Sequence, residues 1–413
     1  MSWLIPTREL TPDQLRAVQM DAKEHRAIVG GPGSGKTQVL LHRARHLLDS
    51  LRSKPDRFRV FVYTNALKEY IRSAVLDLGL PEDCVSTFDQ WCRAYYQSHV
   101  GGRVPWNEEE KRPDFEAIRA GVIQHARGSN QKLFDFVLVD EAQDLEEEVF
   151  AFLRQVSAHV TVCVDNKQQI YERGTAEAAI LAQLGIRKRN VSLIEAFRVC
   201  PYLVEVAAQF IPDLSEREAF RNQTRQPQVE RQTPLIYSAR NFEDERERLF
   251  EVIRERLLKN ERVAIFLPQN RQVYGFARGL TDAGIPVEVP PQRGSKQALP
   301  AHDFASPNPK LMAFHSAKGL TFDSVFMPRL TDDAFPRTTP ERVERLLFVG
   351  ITRATRWCYF SSIAGRHHPM IDRILWPLAE KKLVTVRKGE GTAPRTTPPS
   401  QTPPSEADDL DFL

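Results

Sequence analysis

Cysteine is scarce: the 413-residue chain has five, Cys84, Cys92, Cys163, Cys200 and Cys358. No two stand as C-x-x-C, and an odd number spread over a long chain argues against a disulfide framework or a zinc or iron–sulfur site. They read instead as small apolar residues of a reducing compartment. Long apolar runs are missing as well. No stretch of about 18 apolar residues occurs, which excludes an ordinary transmembrane helix and a membrane partner. The opening MSWLIPTREL has no cationic stretch leading into an apolar segment, so no secretory leader is expected. A cytoplasmic location follows, beside the nucleoid if the source is prokaryotic. Charge of one sign is also lacking: 57 Lys and Arg face 54 Asp and Glu, a net +3. So small a surplus neither requires nor excludes a nucleic-acid partner, and any basic surface must be local.

What is present is ordinary globular material, 41% hydrophobic and 27% charged, in a length that suits two domains. Thr11-Pro12 marks a helix start, cap followed by first-turn proline. Short apolar strands are expected at 26–30, 58–63, 134–139 and 159–164, each running into polar residues and then a candidate helix. Strands of this kind, buried on both faces, indicate a parallel α/β sheet. A second α/β unit is expected from 191 to 387, with strands at 263–267, 310–314, 324–327 and 357–360. The first unit spans 1–190, with a small helical insertion over about 98–132. Residues 388–413 form a Pro/Thr/Ser-rich tail with little to bury, hence a disordered tether.

Residues 30–37, Gly30-Gly31-Pro32-Gly33-Ser34-Gly35-Lys36-Thr37, match G-x-x-x-x-G-K-[ST] between an expected strand and an expected helix. Glycines let consecutive backbone N–H groups curl around phosphate oxygens, and the helix presents its positive end. Lys36 then faces the β and γ phosphates and the Thr37 hydroxyl takes Mg²⁺. At the end of another strand, Asp140 offers a carboxylate to Mg²⁺ and Glu141 one to orient the attacking water. Together they indicate NTP hydrolysis. They do not say what the energy moves.

The array as a whole, from about Leu10 to Phe360, resembles a superfamily 1 helicase or translocase of the UvrD/Rep/PcrA type. The resemblance implies two RecA-like P-loop NTPase motor domains. It implies that Gln14, in Leu10-Thr11-Pro12-Asp13-Gln14, reads the adenine edge, and that Arg43 packs near the base. Asp140-Glu141-Ala142-Gln143-Asp144 is close to D-E-x-Q-D, with Gln143 linking nucleotide state to neighbouring segments. In Val164-Asp165-Asn166-Lys167-Gln168-Gln169-Ile170-Tyr171, Gln168 matches the γ-phosphate sensor and Tyr171 an aromatic near the strand cleft; Val164 replaces a glycine. Phe197 and Arg198 match an adenine-stacking ring and a first arginine finger, with Ala196 in place of asparagine. His315-Ser316-Ala317-Lys318-Gly319-Leu320 resembles H-S-A-K-G-L, which implies Gly319 in the nucleotide site and His315 on the strand. Thr321 there replaces a glutamate. Arg353, in Thr352-Arg353-Ala354, is the second arginine finger.

Thr64-Asn65 and Thr87-Phe88 resemble the family's strand-contacting segments, although Asp89 replaces a histidine and Phe88 reads equally as core. The intervals available for insertions are short, so duplex unwinding is expected to need a partner or several copies. The function implied is ATP-driven movement on a single strand, DNA in first place and RNA as the alternative, weakly 3′ to 5′. Repair, plasmid maintenance and antiviral defence all stay open. A nucleotide-driven switch that controls a protein partner without processive movement is the competing class. The tail tip, with Asp408, Asp409 and Asp411 around Leu410, Phe412 and Leu413, suggests either a solubilising end or a docking peptide for a protein partner.

Overall fold

The computed structural model describes residues 3–31, 33–109, 111–128, 132–165, 175–194, 199–222, 232–291, 299–336 and 338–389. Two six-stranded sheets organise them. The first contains β1 (Arg26–Gly30), β2 (Phe58–Val62), β3 (Val85–Thr87), β4 (Phe134–Val139), β5 (Ser157–Val164) and β6 (Val191–Ile194). The second contains β7 (Leu235–Ala239), β8 (Val263–Leu267), β9 (Lys310–Ala313), β10 (Phe322–Met327), β11 (Ala354–Ile363) and β12 (Thr385–Lys388). Every pairing in both is parallel. The strand order is β3-β2-β4-β5-β1-β6 in the first and β9-β8-β10-β11-β7-β12 in the second. Renumbered from one, the two orders are identical, so the chain lays down the same sheet twice.

Alternation along the strands builds three apolar layers. On β2, Phe58, Val60 and Val62 face a central core while Phe61 faces an outer one. The central core takes Leu40 and Leu67 from the first half and Phe314, Leu320 and Phe322 from the second. An outer layer on β7 and β8 closes the far side through Tyr237, Leu249 and Ile265.

Three expectations change. Val191–Ile194 pairs with β1, Ala27 opposite Val191, so the first sheet extends past residue 190, where the sequence suggested a boundary. This strand forms the edge beside β1, whereas the helix Pro201–Ala208 packs against β11 of the second sheet. At the other end Lys388, expected in the tail, is the last residue of β12. The insertion is not only helical. It carries a two-stranded hairpin, Trp106–Asn107 with Arg112–Pro113, before the helix Phe115–Gly128.

Candidate nucleotide site and strand surface

Chemistry collects at the carboxyl ends of the first sheet, where parallel strands hand over to helices. β1 ends in Gly30 and the loop leads to the helix Lys36–Ser50. Gly33 and Gly35 sit at φ +76° and +81°, in the left-handed region that favours glycine. A Cβ at Gly35 would also lie 2.7 Å from Gln14 Nε2. Lys36, buried, donates to the carbonyls of Gly30 (2.7 Å) and Gly31 (3.1 Å) and to Asp165 Oδ2 (3.0 Å). Burial works against its charge, but Asp165, Glu141 and Asp140 hold its pKa above the ordinary lysine value. Thr37 Oγ1 donates to Asp140 Oδ2 at 2.6 Å.

Asp140 follows β4, and its other oxygen accepts the Glu141 N–H at 3.0 Å. Glu141 adopts φ +49°, a costly conformation for a non-glycine residue and one found at functional sites. Gln143 Nε2 donates to Glu141 Oε2 at 2.5 Å, and Gln143 Oε1 accepts the Asp165 N–H at 3.0 Å. Gln143 is therefore a bridge between the two acids. Burial and the adjacent Glu141 push Asp140 up, whereas Glu141, equally buried, is held low by Lys318 and then Lys36. Burial pushes Asp144 up to about 7.

Lys318 comes from the second half, just beyond β9. It is 1% exposed, lies 2.7 Å from both carboxylate oxygens of Asp144, and stands 3.8 Å from Glu141. Arg353, at the end of the helix Pro340–Thr352, is also buried; it donates to the carbonyls of Val349 (3.2 Å) and Leu320 (3.3 Å). Burial lowers its pKa against the pull of Glu141, Asp165 and Asp140. Lys318 and Asp165 are the residues that reading the sequence missed. The only signals were a lysine beside Gly319 and an acid directly after β5.

Other expected residues are placed differently. Arg43 is fully buried beneath the first helix (Pro12–Gln19): its guanidinium takes the carbonyls of Val18 (3.0 Å) and Met20 (2.6 Å), Thr161 Oγ1 (2.9 Å) and His159 (3.1 Å). Its fork is spent on a helix C-terminus, so in this structure it is a core cation and not a base contact. Gln14 completes a capping box with Thr11, accepting its N–H at 3.0 Å, and donates to the Ser34 carbonyl at 2.8 Å. That fixes it against the phosphate loop with both ends of its amide engaged. Gly319 lies against the first half, where a Cβ would meet Leu67 Cδ2 at 2.7 Å.

On the strand side, Thr64 and Thr87 cap the helices Asn65–Val75 and Phe88–Tyr95, accepting from Leu67 N (3.1 Å) and Gln90 N (3.2 Å). Gln90 Nε2 donates to exposed Asn65 at 2.7 Å and ties the two helix starts together. His315 is exposed. Phe88 is a correction: at 2% exposure it packs edge-on to Phe61 (5.4 Å) and beside Trp91 (6.0 Å), in the outer core. Asp89 is paired with Arg119 (3.4 Å), which also meets Glu146 (3.2 Å), so the acid that replaces histidine has a cation from the insertion helix. Pro32, Gln168, Tyr171, Phe197, Arg198 and the tail beyond Gly389 lie outside the described residues.

The equivalent edge of the second sheet is charged the other way. The helix after β7, Phe242–Leu258, opens with Glu243, Asp244 and Glu245, and Glu245 pairs with Arg329 (3.1 Å), which follows β10. An acidic first turn repels phosphate. Among the described residues the glycine-rich loop that opens a helix at a strand end belongs to the first sheet.

The Thr37–Asp140 pair fits a divalent cation. One carboxylate and one hydroxyl, completed by substrate phosphates and water, is the donor set Mg²⁺ prefers over an all-protein cage. No group of three or more His, Cys, Asp or Glu suited to a metal occurs among the described residues. No helix among them is long and apolar enough to cross a membrane.

Comparison with known proteins points to one family. The profile of the UvrD/REP helicase N-terminal domain matches residues 10–119 and 115–186, and that of the UvrD-like helicase C-terminal domain matches 298–365. A probable DNA helicase II homolog from Mycoplasma capricolum is 23% identical over 151 residues, 34% of this chain and 21% of that protein's length. A solved structure, the C-terminal domain of a possible DNA helicase from Lactobacillus plantarum, is 15% identical with a TM-score of 0.34, covering 46% of this chain and 98% of that one.

Proposed function

Since the chain belongs to the UvrD-like superfamily 1 helicase family, we propose that it is an ATP hydrolase whose two RecA-like halves convert turnover into movement along a single strand. The observation that carries this reading is the convergence of Lys36, Thr37, Asp140 and Glu141 at one sheet edge, with Thr37 Oγ1 2.6 Å from Asp140. Lys36 exchanges Asp165 for phosphate oxygens. Glu141 orients water, and Gln143 keeps its carboxylate in place. Mg²⁺, held by Thr37 and Asp140, would neutralise phosphate charge when bound. Arg353 and Arg198 are proposed as the second half's contribution to transition-state charge, a role worth a factor of about 10³–10⁵ where such arginines act.

Single-stranded DNA is the proposed substrate, with Thr64, Asn65, Thr87 and His315 along its path. The tied helix starts at Asn65 and Gln90 support phosphate contact there. Movement is proposed as 3′ to 5′, in the cytoplasm. The central core supports coupling, because it is built from both halves and cannot slide without repacking. ATP turnover with and without an oligo(dT) strand tests the reading, followed by displacement of streptavidin from strands biotinylated at either end. Strand-stimulated turnover with displacement from one end only is expected. Turnover stimulated by a protein, with no strand binding, would replace it with the switch.

A further inference from the structure

We propose that the nucleotide site selects a triphosphate and not a base, so that ATP, GTP, CTP and UTP are all substrates; this rests on the reading of the chain as a nucleotide hydrolase and widens its substrate class. Telling one base from another takes side chains that offer a donor or acceptor to the base edge. Gln14 and Gln38 flank the end of the glycine loop, since a Cβ on Gly35 would lie 2.7 Å from Gln14 Nε2 and 3.9 Å from the Gln38 Cβ. His42 and Arg43 stand one turn beyond Gln38 on the helix Lys36–Ser50. These are the four candidates for reading a base that the loop and its helix bring together.

Each is already engaged by the protein. Gln14 turns both ends inward, Oε1 to the Thr11 N–H at 3.0 Å and Nε2 to the Ser34 carbonyl at 2.8 Å. Gln38 does the same with the segment ahead of the first helix: Oε1 accepts the Ile5 N–H at 3.1 Å and Nε2 donates to the Trp3 carbonyl at 2.9 Å. His42 Nε2 donates to the Ile5 carbonyl at 2.9 Å, and its Nδ1 meets the Thr7 hydroxyl at 3.3 Å. Arg43 is spent on the carbonyls of Val18 and Met20. Gln14, His42 and Arg43 are also buried, where giving up an internal hydrogen bond is costly. The ring that the resemblance assigns to Phe197 would hold all four bases alike, because every base has a π face. Selection is left to Lys36, Thr37 and Asp140, which meet phosphate and Mg²⁺, and Gln14 becomes a brace on the loop carbonyl of Ser34.

The full chain is assayed for kcat and KM with each of the four nucleotides, in the presence of Mg²⁺ and oligo(dT), and each nucleotide is titrated against a ribose-labelled fluorescent triphosphate. A site that hydrogen-bonds one base edge discriminates by about 10⁴-fold or more, whereas here kcat/KM and the competition constants are expected to agree within about tenfold. ATP favoured by more than about tenfold in either measurement would overturn the proposal. Gln14→Glu keeps an oxygen for the Thr11 N–H and loses the donor to Ser34, so the helix start is preserved. Its kcat/KM is expected to fall about fivefold with all four nucleotides together, the ratios between them unchanged. A loss confined to ATP would mean that Gln14 reads adenine, and would overturn the proposal. If the wild-type chain turns over none of the four, the hydrolase reading fails, and the competition titration still decides whether the pocket distinguishes bases. Failure of the labelled triphosphate to bind would remove both.

Discussion

Lys36 and Asp165 form a buried ion pair, Nζ to Oδ2 at 3.0 Å, although 129 positions separate them in the chain. The lysine that would receive phosphates already has an anion to hold. Lys36→Met should abolish turnover and also destabilise the fold by about 3–5 kcal/mol, the cost of breaking a buried ion pair from one side. Adding Asp165→Asn should restore most of the stability and none of the activity. Urea melts beside phosphate-release assays separate the two effects.

Glu141→Gln should leave ATP binding within a few-fold and stop hydrolysis, since an amide keeps the shape but not the charge that orients water. Binding of a fluorescent ATP analogue and steady-state turnover are the measurements. Near-native turnover in the purified variant would remove Glu141 from that role.

Arg353→Ala should lower kcat at saturating ATP and strand at least tenfold. Because Arg353 also satisfies the Val349 and Leu320 carbonyls, some loss of stability is expected with it. An unchanged kcat would exclude Arg353 from the site.

His159 should make stability depend on acid. Burial, and after it the Arg43 guanidinium, pushes its pKa down from 6.5 to about 3. Between those values the unfolded chain binds a proton that the folded chain refuses. Its contribution is therefore complete above pH 6.5 and declines as pH falls towards 3. Asp140 and Asp144, pushed up by burial, act in the opposite sense, so the test is a difference: His159→Gln should flatten the stability–pH slope by up to one proton, about 1.4 kcal/mol per pH unit. Urea unfolding at several pH values between 7.5 and 5 measures it, and parallel slopes would refute it.

Gly319→Ala should disturb the contact between the halves, because its Cβ would lie 2.7 Å from Leu67 Cδ2 at a φ of +79°. A loss of about 1–3 kcal/mol is expected. Combining it with Leu67→Ala should recover the steric part and leave the backbone part. A double-mutant cycle of melting free energies reads the two separately.

That the glycine loop and the acid pair would meet was legible because a phosphate and Mg²⁺ site would dictate residue types over a few consecutive positions, and the parallel strands were legible because apolar runs ended in polar residues. Burial was not legible. Phe88 read equally as a strand contact and as core, and Arg43 as a base contact, but an aromatic cluster closes over one and a helix end claims the other. Lys318 meets Asp144 across 174 positions, and nothing local to either residue announces its partner. The strands at β3, β6, β7 and β12 escaped notice for a related reason: three to five residues with neighbours supplied from afar make a weak pattern.

Val199 reaches over the phosphate loop: a Cβ on Gly33 would lie 2.7 Å from its Cγ2, and the next residue, Cys200, donates its N–H to the Thr355 carbonyl of β11 at 2.8 Å. Val199 and Cys200 thus tie the glycine loop of the first sheet to β11 of the second. On the proposed function, a nucleotide entering that loop would have to move Val199, and so pull on Cys200 and β11, which would make occupancy of one sheet felt as tension in the other.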